Sequence, residues 1–127
     1  MELTINSDGF VSDFSLKSKL STKNLQGEPL PGEITITPAL QHQEKMPENE
    51  YQVRLNISIK TELFDLSLEH RFFIKFDKTL TKQELNSSKT KNLIINNLYP
   101  YSRAFIVSTL ANGGYGAINM PTFTIAK

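Results

Sequence analysis

Two alternating runs in the middle of the chain constrain its fold most. In residues 51–63, apolar residues at every second position alternate with polar ones, which predicts a strand with one buried and one wetted face. Residues 66–76 repeat the same pattern. Because only Phe64 and Asp65 separate the two runs, the sequence predicts a tight antiparallel hairpin that turns at these two residues.

Two further strands are predicted upstream. Residues 33–42 alternate in the same way, and Pro38 within them indicates either an edge position or a bulge. Residues 3–20 change phase midway, and a bulge or bend at Gly9 would restore a common buried face. Turn-rich polar segments at residues 26–32 and 41–49 follow these two strands and are predicted as loops.

Helical patterns follow the strands. The segment from Thr81 to Glu84 fits a capping box at the start of a short helix, which residues 86–88 interrupt. Apolar residues between positions 93 and 110 recur at spacings of three, four and seven, which predicts an amphipathic helix. Pro100 is expected to begin or kink a helical segment, and the pair Gly113-Gly114 is expected to end the helix in left-handed geometry.

Together these elements predict one α+β domain over residues 1–127. It has a four-stranded antiparallel sheet followed by a short helix and a longer amphipathic helix that packs on one face of the sheet. The chain contains no cysteine, so it cannot form disulfides or cysteine metal sites. Its start does not resemble a signal peptide, and no segment has the roughly 20 apolar residues of a membrane span. We therefore expect a cytoplasmic protein.

The chemistry of the chain argues against nucleic-acid binding and against catalysis. A net charge of +1 is too small for a typical phosphate-binding domain. The only histidines are His42 and His70, and no Gly-x-Ser-x-Gly motif accompanies them. His70 has an inward strand position, where a buried histidine bonded to a neighbouring carbonyl is the simplest interpretation. The pairs His42 with Glu44 and Glu69 with His70 lack a known zinc spacing, so no metal, cofactor or catalytic residue is expected.

A segment near the end of the chain resembles a known family. The matching residues are Leu98, Tyr99, Pro100, Tyr101, Ser102 and Arg103, followed by Gly113, Tyr115, Ile118, Met120 and Pro121. They are similar to the Leu/Phe-(Phe/Tyr)-Pro-Tyr-Ala-Arg helix and the Gly-x-Phe-Pro-x-Leu-x-Leu-x-Pro loop of SecB-type export chaperones. The sequence departs from that pattern at Gly116, where the family usually has proline, and it lacks one residue before Pro121.

The resemblance implies an architecture and an assembly. SecB-like proteins have an antiparallel four-stranded sheet, a long helix, a crossover loop and a second helix, and they assemble as dimers of dimers. The resemblance therefore implies a homodimer or homotetramer. It also implies structural or interface roles for one set of residues, namely Tyr99, Pro100, Tyr101, Arg103 and Phe105.

The resemblance also implies a function and a binding region. SecB-like proteins hold unfolded or nascent polypeptide in long apolar grooves without ATP. The corresponding groove residues here would be Tyr115, Ile118, Met120 and Phe123. Phe73, in the outward phase of its strand between Arg71 and Lys75, is a further candidate because exposed aromatic residues mark binding surfaces.

Two functions from different classes fit these features. One is an ATP-independent holdase that binds many unfolded polypeptides or preproteins. The other is a dedicated interaction module of SecB fold that recognises one partner, such as an antitoxin or a phage or host factor. The family docks to the SecA motor through its C-terminal helix and acidic character. The chain ends at Lys127, about where that helix would begin, and has a net charge of +1, so it gives no support for SecA docking.

Overall fold

A four-stranded antiparallel sheet carries one long helix on one of its faces. The computed structural model describes residues 1–19 and 32–115. The elements are β1 (Leu3–Ser18), β2 (Gly32–Gln41), β3 (Glu50–Thr61), β4 (Phe64–Phe76), α1 (Lys82–Leu85) and α2 (Ser88–Leu110), followed by a π-helical turn (Ala111–Tyr115). The strand order is β1-β4-β3-β2, so β1 and β2 are the two edges of this sheet. The predicted α+β architecture is confirmed.

The hairpin between β3 and β4 turns earlier than the sequence pattern predicts. The turn residues are Glu62 and Leu63, whereas Phe64 is already in β4 and completely buried. The hydroxyl of Thr61 accepts hydrogen bonds from the backbone N–H groups of Leu63 (3.1 Å) and Phe64 (3.0 Å). These hydrogen bonds satisfy the backbone of a turn at Glu62 and Leu63. The predicted turn at Phe64 and Asp65 is therefore wrong by two residues.

Strand β1 contains the predicted irregularity. Its register with β4 shifts three times between Ile5 and Asp13. Gly9 lies within the shifted stretch, and a Cβ atom there would collide with the ring of Phe72 and lie 2.9 Å from Nε2 of His70. The bulged segment therefore passes so close to β4 that only glycine fits at this position.

Strand β2 accommodates Pro38 because it is an edge strand. Pro38 pairs with Leu55 of β3 in a register that continues without a shift from Gly32 to Gln41. Of the two predicted explanations, the edge position is therefore confirmed and the bulge is wrong.

Both helices begin with side-chain caps. Thr81 and Glu84 form the predicted capping box at the start of α1, with both hydrogen bonds at 3.1 Å. The hydroxyl of Ser87 accepts a hydrogen bond from the backbone N–H of Thr90 (3.2 Å) and caps α2. The predicted interruption between the helices therefore consists of the end of one helix and the cap of the next.

Pro100 and the paired glycines do not have the predicted positions relative to helix ends. Pro100 lies well inside α2, where it neither begins nor restarts the helix. Proline leaves the carbonyl of Asn96 without a helical donor, and this is tolerated because both residues are exposed to water. The α-helix ends at Leu110, and Gly113 and Gly114 continue the chain in the π-helical turn instead of stopping it in left-handed geometry.

The core lies between α2 and the two central strands. Inward-facing residues of β3 and β4 alternate with polar residues of the opposite face, and most are at most 2% exposed. From α2, a row of residues four positions apart meets them, and each member is fully buried: Ile94, Leu98, Ser102, Ile106 and Leu110. Because residues i and i+4 share one helix face, this row forms a continuous stripe over the sheet.

We expect Gly9→Ala to lower the free energy of unfolding by about 1–3 kcal/mol, because the added methyl group overpacks the site beside Phe72 and His70. Urea denaturation followed by circular dichroism measures this change. The control is Ser15→Ala at an exposed position of the same strand, which should change stability by less than about 0.5 kcal/mol. Equal stability of Gly9→Ala and the wild type would contradict the close approach of β1 to β4.

Candidate polypeptide-binding site

A single helix is too narrow to cover the sheet. Three strand spacings of about 4.8 Å put the two edge strands about 14 Å apart, whereas one helix is about 10 Å in diameter. The inward residues of the central strands are therefore sealed, while those of the edge strands remain partly exposed. These partly exposed residues are Leu3, Ile5, Val11, Phe14 and Leu16 of β1 and Ile34, Ile36 and Leu40 of β2.

Aromatic residues line the margin between α2 and β1. The rings of Phe14 and Phe105 meet edge to face with centroids 5.3 Å apart. Tyr101, one helical turn before Phe105, has its ring 6.1 Å from that of Phe72 and is 54% exposed. We call Val11, Phe14, Tyr101 and Phe105 the β1-side groove.

The β1-side groove presents partly exposed apolar surface together with one phenol hydroxyl. Leu93 lies two helical turns before Tyr101 on the same side of α2. There it lines a shallow pocket with Met1 and the polar residues Ser88, Lys89, Asn92 and Asn96. Because four of these six residues are polar, the pocket does not extend the apolar surface of the β1-side groove.

A buried polar pair fixes α2 on β4 next to this groove. Nδ1 of His70 and Oγ of Ser102 are 2.9 Å apart and share a hydrogen bond. His70 is 6% exposed and Ser102 is fully buried. The ring of His70 also packs on Phe72, with centroids 4.3 Å apart. The partner of His70 is thus a hydroxyl and not the predicted carbonyl, and burial lowers the pKa of His70.

The His70–Ser102 pair is not arranged as a nucleophile and its base. A catalytic serine must reach a substrate, and the hydroxyl of Ser102 has no exposed surface. Among residues 1–19 and 32–115, no three His, Cys, Asp or Glu side chains form a group that could hold a metal ion. In the same residues, no helix is both long and apolar enough to cross a membrane.

The residues predicted as structural or interfacial all lie on α2, but in different surroundings. Tyr99 is buried, and this burial raises its pKa, although Arg103 partly opposes the shift. Arg103 and Phe105 are half-buried, whereas Pro100 and Tyr101 are exposed. Tyr99 alone among them belongs to the buried core, so burial supports a scaffold role for it most directly.

The residues predicted to bind polypeptide fall into two groups. Phe73 lies on the face of the sheet opposite α2, partly buried and paired across strands with Ser7 and Gln52. The backbone of Tyr115 closes the π-helical turn. Ile118, Met120 and Phe123 lie outside the described residues, so their binding role remains a prediction.

The groove residues of β1 were not identified from the sequence. Val11 and Phe14 are apolar in the correct phase on either side of a register shift, but sequence periodicity does not reveal which strand is an edge. The resemblance implies a structural or interface role for Tyr101, whereas half of its surface is accessible. Its position four residues before Phe105, beside the buried stripe, was the available signal.

Comparison with solved structures identifies the fold. The SecB-like chaperone Rv1957 of Mycobacterium tuberculosis, solved in complex with a ChAD peptide from the HigA1 antitoxin, superimposes with a TM-score of 0.76. The match has 15% sequence identity and covers 95% of this chain and 90% of that chain. The fold is SecB-like. The resemblance noted in the sequence is thereby confirmed at the level of the fold.

A second solved structure is similar to this chain at a lower TM-score. This protein of unknown function from Streptococcus agalactiae matches with a TM-score of 0.59 and 11% identity, over 97% of this chain and 98% of that chain. No protein-family model and no curated protein sequence matches the chain. The SecB-like assignment therefore comes from three-dimensional similarity.

We expect Ser102→Ala to lower the free energy of unfolding by about 1–3 kcal/mol, because it leaves Nδ1 of the buried His70 without a partner. The measurement is urea denaturation at pH 7.5. Ser108→Ala, at an exposed position of the same helix, is the matched control. If both variants unfold at the same urea concentration, the hydrogen bond between α2 and β4 contributes nothing to stability.

Acidification should destabilise the protein through His70. Burial lowers the folded-state pKa of His70, so the unfolded chain binds more protons once the pH falls below the unfolded pKa of about 6.5. The contribution of His70 to the free energy of unfolding is therefore fully present above that pH and decreases below it. The lowered pKa values of Glu69, Asp77 and Glu84 affect stability only in a more acidic range, below their ordinary values of 3.8 to 4.5.

The test compares unfolding free energies between pH 7.5 and 5.5 for three proteins. The wild type should lose stability over this range, His70→Gln should lose less, and Ser108→Ala, which removes no titratable group, should follow the wild type. A His70→Gln profile parallel to that of the wild type would exclude His70 as the source of the pH dependence.

Proposed function

We propose that this chain is an ATP-independent holdase, which binds unfolded or preprotein polypeptide. The observation that carries this proposal is the β1-side groove, an aromatic margin that α2 leaves partly uncovered in a SecB-like fold. A client side chain seated there would gain about 25 cal/mol for each Å² of apolar surface removed from water.

The groove suits low sequence selectivity. Tyr101 and Phe105 offer ring faces and edges to any apolar side chain, and only the phenol hydroxyl adds a directional contact. Tyr115, Ile118, Met120 and Phe123 are proposed to extend this surface, with Phe73 as a separate contact on the other sheet face. Neither ATP nor another cofactor is part of the proposal.

The proposed setting is cytoplasmic, with the chain acting as a homodimer or homotetramer. The uncovered margins of the sheet are a physical reason for assembly, because a second copy could cover one margin while a client occupies the other. SecA docking is not proposed, since the net charge of +1 is unlike the acidic character associated with that docking.

A second function, a dedicated interaction module, is favoured by one observation. The SecB-like chaperone from Mycobacterium tuberculosis was solved with a peptide from one antitoxin. A chain of this fold can therefore also recognise a single partner. The two functions differ in selectivity: a holdase protects several unrelated unfolded proteins, whereas a dedicated module protects only one.

Tyr101→Ser should weaken the binding of a labelled, reduced and unfolded test polypeptide about 5- to 30-fold. The expected loss of about 1–2 kcal/mol corresponds to burial of the exposed half of the tyrosine ring. Fluorescence anisotropy measures the affinity, and light scattering measures suppression of aggregation for three unrelated proteins without nucleotide.

Lys91→Ser is the matched control, because it shortens another long exposed side chain of α2. Unchanged binding by Tyr101→Ser would show that the β1-side groove does not bind the test polypeptide. Protection of one protein among the three would favour the dedicated module, and a wild-type monomer that ignores all three would exclude the holdase.

A further inference from the structure

The π-helical turn after α2 contains the one Asn-Gly pair of the sequence, Asn112-Gly113. Both residues are exposed to water. The backbone nitrogen of a residue can attack the side-chain carbonyl carbon of an asparagine that precedes it, which closes a five-membered succinimide ring. A side chain on the attacking residue hinders this approach, and Gly113 has none. The pair therefore combines a reactive side chain with an unhindered nucleophile.

Another exposed asparagine of the same helix, Asn97, has very different surroundings. Its side-chain nitrogen donates a hydrogen bond to the backbone carbonyl of Leu93 (2.7 Å). The residue that follows it, Leu98, is fully buried in the core. Among the residues that the structure describes, the side chain of Asn112 makes no hydrogen bond of this kind. Asn97 is therefore held in place, whereas no described contact restrains the side chain of Asn112.

The position at the end of the helix also matters for ring closure. In the middle of an α-helix, the backbone N–H group bonds to a carbonyl one turn earlier, so it is held away from the preceding side chain. The α-helix ends at Leu110, and Asn112 belongs to the π-helical turn beyond it. Helix ends open at a much lower free-energy cost than elements of the core. Because residues 111–113 are all exposed, their opening disturbs no buried contact of their own.

A carboxylate formed at this position would be unfavourable for the helix. The C-terminal end of a helix carries a partial negative charge, which an added anion opposes. The last turn of α2 contains no basic residue that could neutralise such an anion. The nearest cation that precedes it on α2 is Arg103, nine positions before Asn112. A negative charge at residue 112 should therefore weaken the last turn of the helix that carries the β1-side groove.

We propose that Asn112 is a site of spontaneous deamidation, which adds a negative charge to the chain and loosens the end of α2. The backbone nitrogen of Gly113 loses its proton and forms a bond to Cγ of Asn112. The bond from Cγ to Nδ2 breaks, and the amide nitrogen leaves as ammonia. Water then opens the succinimide at either of its carbonyl groups, which gives aspartate or isoaspartate. The modification does not depend on the holdase function.

The reaction has a characteristic pH dependence. Its nucleophile is the deprotonated backbone nitrogen of Gly113, and the fraction of this form rises with pH. The rate at Asn112 should therefore increase steadily from pH 7 to pH 9, while the protein remains folded. Each event lowers the net charge of the chain by one, from +1 to zero, and raises its mass by about 1 Da, because an amide NH₂ is replaced by a hydroxyl.

The experiment incubates the folded, full-length protein at pH 8 and 37 °C and follows deamidation by mass spectrometry of tryptic peptides. Trypsin cleaves after Lys91 and Arg103, so Asn97 and Asn112 fall in different peptides, and fragmentation assigns the modified residue within each peptide. We expect deamidation at Asn112 to be at least tenfold faster than at Asn97. The internal comparison removes differences in protein concentration, buffer and time.

Two neighbouring glycines provide a matched pair of variants. Gly113→Ala adds a methyl group to the residue whose nitrogen attacks, so it should slow deamidation at Asn112 at least fivefold. Gly114→Ala makes the same change one residue later and leaves the nucleophile unaltered, so its rate should stay within twofold of the wild type. Equal rates in both variants, whether slowed or not, would overturn the assignment of Gly113 as the nucleophile and with it the proposal.

The structural consequence is tested with Asn112→Asp, which introduces the charge directly. Hydrogen exchange at the backbone amides of residues 108–112 should become at least threefold faster, whereas exchange in β3 and β4 should not change. Unaltered exchange at the end of α2 would overturn the proposed loosening. An unmodified Asn112 after prolonged incubation, or a rate equal to that of Asn97, would overturn the site itself. None of these measurements uses a client, so each result is separate from the test of the holdase.

Discussion

The mismatch in width between one helix and four strands governs the rest of this structure. The stripe of α2 that runs through Leu98, Ser102 and Ile106 covers β3 and β4 completely and leaves β1 and β2 only partly covered. A second helix over either margin would bury the apolar residues of that edge strand within the domain. The partly covered margin instead leaves aromatic surface in contact with water, which is typical of binding surfaces.

The position of α2 depends on the polar contact between Ser102 of its buried stripe and His70 of β4. Displacing the helix by one turn would keep the apolar contacts similar, because Ile94, Leu98 and Ile106 are interchangeable in size. It would, however, separate Ser102 from His70 and leave two buried polar groups unpaired. The pair therefore selects a single alignment of helix and sheet, and that alignment holds Tyr101 over Phe72 and Phe105 over Phe14.

Local patterns of apolar residues and caps predicted the elements, whereas the remaining details depend on side-chain hydrogen bonds, on solvent exposure and on strand order. The alternation in β3 and β4 and the capping box at Thr81 operate within a few residues, so the sequence revealed them. The β3–β4 turn lies two residues earlier than predicted because the side chain of Thr61 satisfies the backbone there. Pro100 is tolerated inside α2 because its side of the helix meets water. The β1-side groove depends on strand order, which periodicity does not encode.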